Sequence, residues 1–203
     1  MRNSVKLRGK FLPQLPFEDR DKFTVRIHSD ASFNNQGCLG LGNRKNIIGY
    51  GYCVELAPYA PKSAIPAYGY GTVTQDVNNC SATAELIGIV GALKETGLRE
   101  NVEIICDNRD AVNIANHIFK GEKSTRFQTN YVLRGVLEEL EQFAGSGITA
   151  RWVRGHNGDM YNHAVNMLAR LARKTVEDGN EMWYAVRKET NMLNSFRQMS
   201  EAV

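Results

Sequence analysis

Three acidic residues, Asp30, Glu85 and Asp107, stand where predicted strands end or a predicted helix begins. Asp30 follows the alternating run KFTVRIHS, and Asp107 follows the apolar run NVEIIC. Glu85 is expected in the first turn of the helix between them. If the two strands are parallel neighbours, their carboxyl ends meet at one sheet edge and the three carboxylates converge there. Converging carboxylates repel each other, and a hard cation such as Mg2+ relieves that repulsion because it prefers oxygen ligands.

A second group of polar residues lies in the segment GHNGDMYNHAVN, residues 155–166. His156 follows a predicted strand and is flanked by glycines at short range. Asn162 and Asn166 are four residues apart in the helix that follows, and they therefore share one helix face. The alternative interpretation of His156 is a solvent-exposed loop histidine, and that of Asn166 is a residue that only caps this edge without meeting a cation.

The elements that must position these residues follow a simple order along the chain. Three strands joined by turn-rich links indicate an antiparallel meander, and alternating helices and strands follow it. The three strands are KFTVRIHSDASF, IIGYGYCVEL and AIPAYGYGTVTQDV; the later elements are helix SATAELIGIVGALKETG, strand NVEIICDN, helices RDAVNIANHIF and YVLRGVLEELEQFAG, strand ITARWV and helix DMYNHAVNMLARLARK. This order predicts an α/β fold with a mixed five-stranded sheet, three antiparallel strands then parallel strands, and helices on both faces.

Composition narrows the class of protein. The chain has 203 residues, 42% hydrophobic and 23% charged, with a net charge of +3, which is ordinary for a soluble globular protein. Its four cysteines form no C-x-x-C pair, so neither a zinc site nor a disulfide framework is predicted. No apolar stretch reaches about 18 residues and the N-terminus lacks the apolar core of a secretory signal. We expect a cytoplasmic protein without a membrane span.

The sequence divides into three parts. Residues 1–22 form a basic tail, residues 23–174 contain the periodic elements, and residues 175–203 carry an amphipathic helical extension. The extension is expected either to dock on the domain or to mediate self-association or binding of a protein partner.

Four motifs in this order resemble the type 1 ribonuclease H family. They are SDAS at 29–32, TAELIGIVGAL at 83–93, ICDNRDAV at 105–112 and WVRGHNGDMYNHAVNMLAR at 152–170, and the resemblance extends over about residues 23–174. It implies a ribonuclease H-like fold and a metal-dependent endonuclease that cuts the RNA strand of RNA–DNA hybrids. The implied cofactor is a pair of Mg2+ ions, for which Mn2+ is a substitute.

The resemblance also assigns roles to the polar residues named above. The family's four acidic metal ligands match Asp30, Glu85, Asp107 and Asn166, so this chain has an amide in place of the fourth acid. An amide oxygen can still bind a hard cation but brings no charge, and the second ion is expected to bind more weakly. His156 matches a loop histidine that takes or relays a proton near neutral pH. Asn162 matches an asparagine that organises this loop.

Substrate contacts are predicted at polar residues around the carboxylates and in the loop KGEKSTRF. Hybrid recognition by this family implies contacts to 2′-hydroxyls across the minor groove, and basic residues of the loop would contact phosphates. The candidates are Ser32, Asn79, Ser81, Lys120, Lys123, Arg126 and Asn162.

Two other functions remain open at this point. One is a nucleic-acid-binding module that cuts poorly because Asn166 lowers the charge, and the other is a different two-metal nuclease of the same fold, such as a junction resolvase or an exonuclease. Retention of all three acids argues against a pure binding module. Proofreading exonucleases resemble a D-x-E pattern on the first strand. Here Asp30 is followed by Ala31 and Ser32, which argues against that class.

Overall fold

A computed structural model describes residues 24–33, 46–55, 66–75, 81–123, 131–155, 159–177, 191 and 194. The elements are β1 (Val25–Phe33), β2 (Asn46–Val54), β3 (Tyr68–Gln75), α1 (Ser81–Thr96), β4 (Val102–Cys106), α2 (Arg109–Phe119), α3 (Tyr131–Glu141), β5 (Thr149–Trp152) and α4 (Met160–Glu177). The strands form one sheet in the order β3-β2-β1-β4-β5. Pairing is antiparallel among β1, β2 and β3, and parallel from β1 to β4 and from β4 to β5. The predicted mixed sheet is confirmed.

Helices cover both faces of this sheet, because successive side chains of a strand point to opposite faces. Ile27 of β1 belongs to the large core that the sheet forms with α1, α2 and α3. The next residue, His28, points to the other face, where its ring stacks on Tyr161 of α4 with centroids 4.9 Å apart. None of the helices within the described ranges is long and apolar enough to cross a membrane.

Some predicted boundaries were wrong by a few residues. β1 continues to Phe33 instead of ending near Asp30, because Asp30 still pairs with Gly51 of β2 after the parallel pairing with β4 has ended at His28. Glu85 is the fifth residue of α1 and so lies beyond its first turn. α4 continues to Glu177, three residues past Lys174, where the helix predicted from the sequence ends. The predicted N-terminal tail, residues 1–22, lies outside the described residues, as does most of the predicted extension.

Glycines of β2 allow α4 to lie directly against the sheet. A Cβ atom on Gly51 would stand 2.5 Å from Cβ of Leu168 and 2.7 Å from the carbonyl oxygen of Val165, and one on Gly49 would collide with the backbone of α4 at Ala169. Real Cβ atoms do not approach other atoms so closely, so both positions require glycine. Because α4 carries Asn166, these glycines also set the distance between that residue and β1.

We expect Gly51→Ala to lower the free energy of unfolding by about 2–3 kcal/mol, because the atoms in the way include backbone that cannot move aside cheaply. Gly135→Ala in α3 is the matched control: nothing lies within 4 Å of its added Cβ, and the helix should gain roughly 0.5–1 kcal/mol. Urea unfolding of both variants measures the two effects. Equal stability of Gly51→Ala and the wild type would show that α4 does not rest on the sheet at this distance.

The ring of Tyr50 is held between two further glycines. A Cβ on Gly91 of α1 would lie 2.5 Å from the Tyr50 ring, and a Cβ on Gly71 of β3 would collide with the same ring from the other side. The Tyr50 hydroxyl donates a hydrogen bond to the Glu95 carboxylate at 2.6 Å. The ring therefore fills the space that the two glycines leave between α1 and the sheet.

Candidate active site

The three predicted carboxylates converge at one edge of the sheet. Asp30 lies on β1, Glu85 on α1, and Asp107 directly follows β4, the parallel neighbour of β1. Possible ligand atoms of Glu85, Cys106 and Asp107 all lie within 4.8 Å of one another. Glu85 is hydrogen-bonded to Asp30, which also feels the charge of Asp107.

Burial and mutual repulsion make the carboxyl groups of Asp30 and Glu85 hard to ionise. Asp30 is 5% exposed and Glu85 is 6% exposed. Burial, and then the nearby charge of Asp107, raise the pKa of Asp30 to about 6. Burial and the charges of Asp30 and Asp107 raise the pKa of Glu85 well above its ordinary value, and it donates a hydrogen bond to Asp30. Among the described residues, neither Asp30 nor Glu85 forms an ion pair.

Asn166 lies beside this cluster, on the opposite face of the sheet from Glu85. Its side chain is hydrogen-bonded to Asp30 and lowers the pKa of that carboxyl, as does the backbone N–H of Ala31, which donates to Asp30 Oδ1 at 2.7 Å. The placement follows from β1, whose Asp30 side chain is reached by α1 from one side and α4 from the other. The predicted fourth position is therefore within reach of the predicted first.

Cys106 forms a hydrogen bond with Glu85, a contact that was not predicted from the sequence. Its Sγ lies 3.6 Å from Glu85 Oε2 and accepts a hydrogen bond from the backbone N–H of Asn108 at 3.4 Å. Since the thiol is fully buried and its pKa is raised well above the ordinary value by burial, it stays protonated and donates to Glu85. The sequence signal was the position of Cys106, next to Asp107, but a cysteine in an apolar strand resembles any core thiol.

Gly155 lies closer to Asp107 than any residue with a side chain could. A Cβ atom on Gly155 would stand 2.5 Å from Asp107 Oδ2 and 3.4 Å from its Cγ. The segment after β5 is thus in contact with the Asp107 carboxylate. From its sequence context, this glycine was predicted only to be a loop residue beside His156.

Three other predicted site residues form hydrogen bonds of their own. Ser81 is exposed and accepts a hydrogen bond from Asn108 Nδ2 at 2.7 Å, which joins the starts of α1 and α2. Ser32 accepts from Arg173 Nε at 3.0 Å. Asn162 is buried, and its backbone N–H donates at 3.0 Å to the Asp159 side chain. This helix-capping contact was not predicted from the sequence.

Within the described residues, the basic loop begins far from the carboxylates. Lys120 and Lys123 are exposed beyond the far end of α2, which spans about 16 Å from its start beside Asp107. Three predicted residues, Asn79, Arg126 and His156, lie outside the described residues.

The donor set fits a hard divalent cation. The side chains of Asp30, Glu85 and Asp107, and the amide of Asn166, offer oxygen atoms, which Mg2+, Mn2+ and Ca2+ prefer. A bound cation would also stabilise the ionised forms of the two carboxyls whose pKa values are raised. The protonated Cys106 thiol is not expected to be a ligand to such an ion.

Solved structures share this fold. The N-terminal RNase H domain of a Mycobacterium tuberculosis protein, solved as a fusion with maltose-binding protein, aligns with a TM-score of 0.52 and 18% identity over 77% of this chain and 97% of that chain. LC9-RNase H1, described as a type 1 RNase H with the type 2 active-site motif, aligns with a TM-score of 0.53 and 24% identity over 74% of this chain and 72% of that chain. At these identities the likeness establishes the fold.

Sequence comparison extends the likeness to the family. The RNase H family model matches residues 23–174. A ribonuclease H of Anaeromyxobacter dehalogenans is 30% identical over 128 residues, which are 58% of this chain and 69% of that protein. A second Anaeromyxobacter ribonuclease H is 28% identical over 127 residues. With the mixed sheet and the converging carboxylates, these matches show that the chain belongs to the ribonuclease H family and is a ribonuclease H-type hydrolase.

Proposed function

We propose that this protein hydrolyses the RNA strand of RNA–DNA hybrids by a two-metal-ion mechanism, with Mg2+ as the cofactor and Mn2+ as a substitute. The observation that carries the proposal is the cluster of Asp30, Glu85 and Asp107, two of which are buried carboxyls with raised pKa values. Such a cluster costs stability unless a cation binds to it, and perturbed groups of this kind concentrate at functional sites.

Each residue has a role in the proposal. Asp30, Glu85, Asp107 and Asn166 would hold the ions. When bound, two divalent ions would act as Lewis acids that stabilise the attacking and leaving oxygens of an in-line displacement at phosphorus. Cys106 keeps the Glu85 carboxyl oriented through its hydrogen bond. His156 remains the proposed group that takes or relays a proton.

The substrate contacts predicted from the sequence remain part of the proposal. Ser32, Asn79, Ser81 and Asn162 would lie along the hybrid, and Lys120, Lys123 and Arg126 would contact phosphates further from the cleaved bond. The proposed catalytic domain is residues 23–174. The proposed place of action is the cytoplasm.

We expect Asn166→Asp to lower the Mg2+ concentration that gives half-maximal cleavage. The amide now donates to Asp30, and a carboxylate there would add a negative charge that only a bound cation compensates. The same variant should unfold at a lower temperature in chelator and recover when Mg2+ binds the native state. A magnesium titration and thermal unfolding measure both effects.

Asn113→Asp is the matched control for Asn166→Asp, because it makes the same change at an exposed position of α2. It should leave the magnesium midpoint unchanged. If Asn166→Asp and the wild type have identical midpoints, Asn166 lies outside the coordination shell and the fourth-ligand assignment is wrong.

The function itself is tested by cleavage of one labelled sequence prepared as an RNA–DNA hybrid, as double-stranded RNA and as double-stranded DNA. Each substrate is incubated with Mg2+, with Mn2+ and with chelator. Cleavage of the hybrid's RNA strand alone, dependent on metal, is the expected result. An Asp30→Asn protein purified in the same way controls for nucleases of the expression host.

Other outcomes would contradict the proposal in distinct ways. Cutting of branched or double-stranded DNA in preference to the hybrid would indicate another nuclease of this fold. Tight hybrid binding without cleavage at any metal concentration would indicate a binding module.

A further inference from the structure

Arg109 and Trp152 form a stacked pair next to the acidic cluster. The guanidinium carbon of Arg109 lies 4.0 Å from the centroid of the Trp152 ring. Arg109 is the exposed first residue of α2, and Trp152, at the end of β5, is 36% exposed, unlike most large apolar side chains of the described ranges. The pair is therefore a surface feature, and core packing does not explain it.

The pair is fixed in place relative to Asp107. The indole Nε1–H of Trp152 donates to the backbone carbonyl of Asp107 at 2.9 Å, and Trp152 is the strand neighbour of Cys106. Arg109 follows Asp107 by two residues, after the helix cap Asn108, whose side chain accepts from the Ala111 N–H at 2.9 Å. Both side chains thus lie on the β5 side of the Asp107 carboxylate, at the same sheet edge.

Arg109 differs from the arginines that serve the fold. Arg26 and Arg151 pair with Glu103, and Arg173 pairs with Glu177. Within the described ranges, Arg109 has no carboxylate partner, and its guanidinium lies over the face of the Trp152 ring. An arginine stacked on an aromatic ring keeps its N–H donors free in the plane of the guanidinium, an arrangement suited to a phosphate group.

We infer that Arg109, held flat by Trp152, binds a backbone phosphate of the nucleic acid on the β5 side of the cleaved bond. The inference rests on the proposed function, since it assumes a polynucleotide laid across Asp107. The contact would fix the position of the strand and carry no base preference, because phosphates are common to every sequence.

Fluorescence anisotropy of a labelled RNA–DNA hybrid in chelator, at several salt concentrations, tests this inference. Arg109→Gln should weaken binding roughly ten-fold at low salt, and the slope of log affinity against log salt should fall by about one phosphate contact. Arg109→Lys keeps the charge but loses the planar stack, so the slope should stay and the affinity fall only a few-fold. Trp152→Ala should act like Arg109→Lys, because the guanidinium loses its support.

Arg99→Gln is the matched control. Arg99 is also exposed and its guanidinium also lies over an aromatic ring, Phe143, at 5.5 Å, but it precedes β4 and so lies at the opposite edge of the sheet. Its replacement removes the same charge and should leave the salt slope unchanged. Thermal unfolding of every variant in the same buffer verifies that the proteins compared are folded.

The failures of the two ideas are distinguishable. If the wild type binds the hybrid and Arg109→Gln has the same affinity and slope, the phosphate contact is wrong and the proposed function stands. The contact is equally wrong if Trp152→Ala weakens binding while Arg109→Gln does not, because that result indicates base stacking on the indole. A wild type that binds no hybrid in chelator and cleaves none in Mg2+ overturns the proposed function and the contact together.

Discussion

Replacing Asp30 by asparagine should abolish metal-dependent cleavage and, at the same time, stabilise the metal-free protein. Loss of activity by about 1000-fold or more is expected, because the carboxylate would hold ions that stabilise the transition state by several kcal/mol. The gain in stability has a separate cause: the buried, repelled carboxyl of Asp30 is replaced by a neutral amide of nearly the same shape. A loss of cleavage activity together with a gain in stability would show that the Asp30 carboxylate is needed for function although it destabilises the metal-free fold.

The pH dependence of stability follows from the same carboxyl. The pKa of Asp30 is about 6 in the folded protein against an ordinary 3.8, so the folded state binds the proton more tightly than the unfolded chain. The resulting stabilisation is complete below about pH 4 and is lost as the pH rises through about 6. The contribution of Asp30 is on the order of 2–3 kcal/mol and is absent from Asp30→Asn. That variant should therefore lose less stability than the wild type as the pH rises, and its remaining loss comes from Glu85, whose pKa is also raised.

Thermal unfolding in chelator between pH 4 and 8 checks this expectation for the wild type and Asp30→Asn. Glu138→Gln, which neutralises an exposed carboxylate of α3, is the control and should retain both the activity and the pH profile of the wild type. If Asp30→Asn lowers stability above pH 6, the carboxylate is stabilised by groups of this protein and needs no cation.

Gly155→Ala should impair metal binding and cleavage with little effect on folding. The added methyl group would meet Asp107 Oδ2 at 2.5 Å, and that oxygen is the end of a side chain that can rotate away. The rotation costs little stability but moves the carboxylate from its position at the sheet edge. A displacement of this size should reduce turnover by roughly 10- to 100-fold, while the free energy of unfolding in chelator stays within about 1 kcal/mol of the wild type.

A double-mutant cycle separates this effect from a general disturbance of the loop. The rise in unfolding temperature on adding Mg2+ is measured for the wild type, Gly155→Ala, Asp107→Ala and the double variant. Once Asp107 is alanine there is no carboxylate to displace, so Gly155→Ala should reduce the metal-induced rise no further. Additive losses in the cycle would mean that Gly155 acts on the metal through other residues.

The sequence was sufficient to predict the fold and the outline of the acidic cluster for physical reasons. Period-2 alternation in β1 and the helical spacing of apolar residues in α1 depend only on which face is buried, and both are local. A carboxylate after an apolar strand, such as Asp107, has a position fixed by the parallel pairing of β4 with β1. The bounds of α2 were predicted correctly because Asn108 caps its first turn.

Contacts between distant segments were not predictable in the same way. The hydrogen bond from Cys106 to Glu85 joins residues that are 21 positions apart in the chain. Gly155 contacts Asp107 because the two residues follow β5 and β4, which are neighbouring strands. Nothing in the local composition distinguishes Trp152 from a core aromatic until β5 is known to be the edge strand of the sheet. The predicted strand end near Asp30 was wrong for a related reason. β1 pairs with β4 only as far as His28 but with β2 as far as Phe33.

The setting of Tyr50 has an evolutionary consequence. Its ring occupies space that exists only because positions 71 and 91 have no side chain, although those positions lie on β3 and on α1. Among homologues, a residue smaller than tyrosine at position 50 should free both glycines to change, and a larger side chain at either one should occur only with such a loss. Three sites far apart in the chain are thus expected to vary as one, and Glu95 should lose its acidic character in the same lineages, because its carboxylate is the partner of the Tyr50 hydroxyl.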